Sequence, residues 1–129
     1  MKREEHIKYW LESAKQDLEV AETLFQNRKY AWSLFILHLV LEKTIKAHYV
    51  KRHNELPPKI HNLVRLCEAA ELEITEEQKI FLDEVNDFNL EIRYPDYKFE
   101  FYKKCDENFT KDYFDKIKEF YEWLLSQIA

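Results

Sequence analysis

The 129-residue chain has the length of one ordinary domain, and 46% apolar with 16% aromatic side chains is ample material for a core without disulfides or metals. A charged fraction of 35% and a net charge of −5 leave a well-solvated surface, while the absence of any glycine excludes phosphate-cradling loops, dinucleotide fingerprints and nucleophile elbows. The charge is uneven: residues 31–65 sum to +4 and residues 66–129 to −9, which excludes a surface that coats nucleic acid uniformly.

The start, Met1 to Trp10, is charged and has no signal-peptide core. A first helix is expected from about Glu4 to Gln26, where Ile7, Trp10/Leu11, Ala14, Leu18, Ala21 and Leu24/Phe25 recur with one-face helical period. Asn27-Arg28-Lys29 is a short break, so the next helix should return antiparallel. That second helix, about Tyr30 to His53, is apolar nearly all round through its first half. It reads as the hub of the bundle, with one side available to another subunit. Its most apolar run, Leu34 to Leu41, is far shorter than the roughly 18–20 residues that span a bilayer. A cytoplasmic location without membrane association is expected.

Leu56-Pro57-Pro58 lies beyond the helix, and a shorter third helix follows from about His61 to Leu72, with Cys67 on its apolar face as a reduced thiol. Thr75-Glu76-Glu77-Gln78 is a capping box that opens a fourth helix running to about Arg93, which Pro95 terminates. Tyr94 to Asn108 is expected to be a long connection with five aromatics (Tyr94, Tyr97, Phe99, Phe101, Tyr102) packed over the bundle, including a short extended stretch at residues 97–101. Thr110 can cap a last helix in which Tyr113/Phe114, Ile117, Phe120/Tyr121, Leu124 and Ile128 keep the helical period. The fold class is all-α, an up-and-down bundle of about five helices forming a single domain over residues 1–129.

Three groups of residues invite a chemical reading. His38, Glu42 and Lys46 stand four apart along a greasy helix, either as the wall of a polar groove or as a structural Glu42–Lys46 pair beside a hydrogen-bonded His38. Lys43, Lys46, Lys51, Arg52, Lys59 and Arg65 form either a basic patch or ordinary solvated helix faces. Arg93 sits in the last turn of the fourth helix beside Tyr94-Pro95-Asp96, where a guanidinium next to tyrosines suits a phosphate and a stacked base, or else pairs with Asp96 to pin the loop. No metal or cofactor is expected, since no Glu-x-x-His occurs and the histidine spacings do not gather ligands on one face.

Four segments carry a resemblance: Trp10-Leu11-x-x-Ala14-x-x-Asp17-Leu18, Leu41-Glu42-Lys43-x-x-Lys46-Ala47, His61-Asn62-Leu63-x-x-Leu66 and Arg93-Tyr94-Pro95-Asp96. In this order and spacing, with the final amphipathic helix, the chain resembles the HEPN domain family over nearly its whole length. The resemblance implies a helical bundle that forms a homodimer. It also implies a minimal nucleotidyltransferase as partner, in modules of toxin–antitoxin or defence type, with nucleotide or RNA as ligand. Other members of that family are metal-independent ribonucleases using Arg-x(4–6)-His across a dimer cleft. Here Arg93 matches the arginine, but Lys98, Phe99 and Glu100 stand where the histidine belongs, and no histidine follows His61. Lysine's ordinary pKa is too high for it to replace the imidazole at neutral pH. The expectation is therefore a non-catalytic dimeric module whose candidate ligand or phosphate-binding residues are Arg93, Tyr94, Asp96, Glu42, Lys43, Lys46, His38 and His61. The alternative is a ribonuclease in which His38 or His61 supplies the acid/base.

Overall fold

The computed structural model describes residues 2–128, apart from the side chains of residues 95 and 97. Among the described residues six helices follow in chain order: α1 (Arg3–Gln26), α2 (Tyr30–His53), α3 (Leu63–Ala69), α4 (Glu76–Arg93), α5 (Pro95–Lys104) and α6 (Glu107–Ile128). No strand occurs among the described residues. The all-α, up-and-down expectation holds, with one helix more than the five expected.

The four long helices alternate in direction. The tight α1–α2 link sets Ser33 against Ala21 and Lys43 against Asp17, so these two run antiparallel. Ring contacts between Phe88 and Tyr113 and between Phe81 and Phe120 show the same for α4 and α6. The hub reading of α2 is correct. It packs against α1, α3, α4, α5 and α6, which accounts for its lack of a polar face without recourse to a second subunit. Leu34, Leu37, Leu41 and Ile45 are fully buried on it, each contributing roughly 1.5–3 kcal/mol of apolar burial. Three of its histidines act as staples. His38, His48 and His53 each hydrogen-bond through Nε2 to a carbonyl of a neighbouring segment, those of His61, Leu124 and Ala69 respectively.

The segment read as a long connection is instead α5. Proline is suited to the first helical position because the N–H it lacks there would have no partner. Tyr94, held extended as residues before proline are, serves as the N-cap. Residues 97–101 form no strand but lie within α5, with Phe101 buried and Phe99 exposed; the Tyr97 side chain lies outside the described residues. The cap of α6 also differs. Asp106 accepts the Phe109 N–H at 2.8 Å, and Thr110 lies buried one turn further in.

Candidate functional site

The polar line on α2 is almost entirely inside the protein. His38 and Glu42 are buried, and Lys46 is nearly so. Burying a carboxylate without partners would cost several kcal/mol, and Glu42 has them on both oxygens. Oε2 accepts from Lys46 Nζ at 3.1 Å, and Oε1 accepts from His61 Nδ1 at 2.9 Å. Lys46 also stands 5.4 Å from the centre of the Trp10 ring, so its charge is shared between a carboxylate and an aromatic face.

His61 is held at two points by two residues one helical turn apart. A carboxylate can only accept, so the bond to Glu42 places the proton on Nδ1 of His61 and leaves Nε2 to face outward chemistry. The carbonyl of His61 accepts from His38 Nε2 at 3.0 Å, which fixes the backbone under the same ring. His38 is therefore the Nε2–H tautomer, with Nδ1 unpartnered 4.0 Å from Glu42 Oε1. Burial pushes its pKa down to about 4; the neighbouring Glu42 and the hydrogen bond to His61 oppose the shift, and the charge of nearby Arg93 adds to it. At neutral pH His38 is an uncharged clamp, whereas the His61 side chain is about half exposed.

Beside His61 lies a groove of about 280 Å³ lined by His61, Asn62, Asn86, Asn89, Leu90, Arg93 and Tyr94. Its polar groups are strongly one-sided. The Asn62 oxygen accepts from the Arg65 N–H, the Asn86 oxygen from the Leu63 N–H, and the Asn89 oxygen from Arg93 Nε. Each of those partners can only donate, so every amide oxygen is engaged; the Asn86 NH₂ donates to Asp83 at 3.5 Å, and those of Asn62 and Asn89 remain as donors. With the remaining guanidinium N–H groups of Arg93, the groove is rich in donors, and no carboxylate lines it. The Arg93 guanidinium carbon stands 5.7 Å from the centre of the Phe35 ring.

Residues 7–128 match the HEPN domain family. The chain belongs to the HEPN domain family. No curated protein and no solved structure matches it.

The structure places the candidate residues of this HEPN domain in three sets. Arg93, Tyr94 and His61 share the groove, with His38 and Glu42 directly behind His61. Lys46 is tied to the far side of Glu42, away from the groove lining. Lys43 turns to α1 and pairs with Asp17 at 2.7 Å, and Asp96 is exposed in the first turn of α5. The alternative Arg93–Asp96 pair does not form, because Arg93 bonds Asn89 within its own helix. Of the six residues of the basic patch, Lys43, Lys46 and Arg52 are each paired with a carboxylate. The three asparagines were missed. A signal for two of them existed: Asn86, Asn89 and Arg93 recur at helical spacing, and asparagine is a poor residue for a helix interior unless its side chain is needed. No group of three or more metal-ligating side chains gathers among the described residues.

Proposed function

We propose that this HEPN domain is a dimeric, cytoplasmic binding module that pairs with a minimal nucleotidyltransferase, and that it holds the phosphate of a nucleotide or RNA in the His61–Arg93 groove. The observation that carries the ligand reading is the surplus of donors. The amide NH₂ groups of Asn62 and Asn89, a guanidinium and an imidazole line it with no acceptor-only side chain among the lining residues, while the Asn86 NH₂ is already directed at Asp83. Tyr94, half exposed at the mouth, offers a ring on which a base can stack. The partner reading rests on family membership alone.

Calorimetric titration with adenosine monophosphate and with a short single-stranded RNA tests the ligand. Binding should weaken with salt and drop at least about tenfold in Arg93→Ala, a loss of about 1.4 kcal/mol. Unchanged affinity in that variant removes the groove from the reading. Co-expression with a minimal nucleotidyltransferase and gel filtration tests the partner, and elution strictly apart argues against it.

One geometric fact favours a second reading, metal-independent RNA cleavage. The Glu42–His61 pair adjoins the same groove as Arg93, and supplies an imidazole that the family's own position lacks. His61 Nε2 would take the 2′-hydroxyl proton as that oxygen attacks phosphorus. Arg93 would hold the developing negative charge, and the 5′-oxygen would leave carrying a proton from a second acid. One groove contains one imidazole, so that second acid would come from another copy or from water. Labelled RNA left intact in EDTA by the pure protein eliminates this reading and leaves phosphate binding standing.

A further inference from the structure

A different face of the molecule carries a second site. Helices α4 and α6 meet through long aromatic side chains rather than by close backbone approach. The gap this leaves is a groove of about 530 Å³. Its floor is apolar: Phe81 and Phe120 meet edge to face, Phe120 stacks on Trp123 at 5.3 Å, and Ile80 stands 59% exposed beside them. Its rim is acidic, with Glu77, Glu84 and Glu119. The one cation among the lining residues, Lys116, is already engaged 3.0 Å from Asp112. The groove runs from Glu77 to Glu84 along α4, about 10 Å or two helical turns. It lies near the amino end of α4, at the opposite end of that helix from Arg93.

We propose that this groove docks an amphipathic helix of a protein partner that carries lysine or arginine on its flanks. A third helix laid against an antiparallel pair inserts apolar residues at i, i+3/i+4 and i+7, which matches a two-turn trough. The rim decides the class of occupant. Nucleic acid and anionic lipid are repelled by it. A second copy packed symmetrically on this face would set the same carboxylates against each other across the two-fold axis. A basic helix turns each of those carboxylates into a complementary contact and covers Ile80 and Trp123.

The test uses a fluorescein-labelled amphipathic peptide of leucine and lysine, and the same peptide with glutamate for every lysine, in anisotropy titrations against the full chain. The lysine peptide should bind and weaken with added salt, while the glutamate peptide should not bind. Affinity should fall about tenfold or more in Ile80→Asp and again in Glu77→Lys/Glu119→Lys. These positions are solvent-facing, and circular dichroism checks that the helices persist. Absence of binding, equal binding of both peptides, or affinity indifferent to Ile80→Asp overturns the proposal. So does a wild-type dimer that Ile80→Asp splits, since a second copy would then own the groove. Phosphate-ligand affinity at Arg93 should be unaffected by every one of these variants.

Discussion

At the scale of single residues, the central device is a buried carboxylate that fixes an exposed imidazole. The spacing of His38, Glu42 and Lys46 made their shared line legible, because one helix sets i and i+4 on one face. What that line touches was not legible. His61 reaches Glu42 from a segment 19 residues away, across an irregular link whose path no periodicity encodes. His38 gives this arrangement a measurable signature. The unfolded chain takes up its proton near the ordinary value of 6.5, whereas the folded protein does so only near 4. Stability is therefore full above pH 6.5 and falls as pH drops through that window, by up to about 3 kcal/mol. His48, lowered by burial in the same direction, adds to the slope. Urea unfolding at a series of pH values should show a shallower acid limb between pH 6.5 and 4 in His38→Gln than in the wild type. Parallel limbs for the two proteins would mean that His38 carries its proton inside the fold.

At the scale of elements, helix ends show what a chain without glycine must do instead. Helix α1 closes with Arg28 donating to Phe25 and Lys29 to Leu24, and α3 closes with Glu71 donating to Glu68 and Leu72 to Cys67. Both are Schellman turns, whose penultimate position is left-handed and favours glycine. Arg28 sits there at φ 62° and Glu71 at φ 58°, while Asn54 takes the same conformation after α2 at φ 53°. Asparagine tolerates that region; arginine and glutamate pay for it with a Cβ clash. Glu71 recovers part of this through its pair with Arg52, but no ion pair of Arg28 occurs among the described residues. Arg28→Gly should therefore raise unfolding stability by about 0.5–1 kcal/mol, measured by urea denaturation. A loss of stability would show that unfolded-chain entropy outweighs the strain at this turn. Boundaries set by side-chain chemistry were readable from sequence, as with the Thr75–Gln78 box and the short break at residues 27–29. Helix α5 was not, because a proline can end one helix and begin another, and the choice is made by packing of Phe101 against Phe88.

At the scale of the whole molecule, two apolar faces of the bundle differ in charge, and the partners proposed for them differ with it. The α4/α6 groove is walled by carboxylates and resists pairing with itself. The other face joins the start of α2 to α5. There Trp32, Tyr94, Phe99 and Tyr102 are exposed, with Lys98 lying over Trp32 at 4.7 Å and over Tyr102 at 5.8 Å. Along α5, Lys98, Lys103 and Lys104 are interspersed with Asp96 and Glu100, so this face carries both signs and a two-fold axis can set lysines of one copy opposite carboxylates of the other. The proposed dimer is accordingly expected here. Tyr94 belongs to this face and to the lining of the His61–Arg93 groove, so the two-fold would bring one groove beside its counterpart. That is the arrangement in which a second His61 could serve as the acid that RNA cleavage requires. Sedimentation should show a dimer in the wild type and in Ile80→Asp, and a monomer of unchanged helix content in Phe99→Glu, whose side chain is 66% exposed in the single chain. A Phe99→Glu protein that still dimerises would move the interface elsewhere. A wild type that sediments as a monomer would leave each groove with a single imidazole, and cleavage would then have only water to protonate its leaving group.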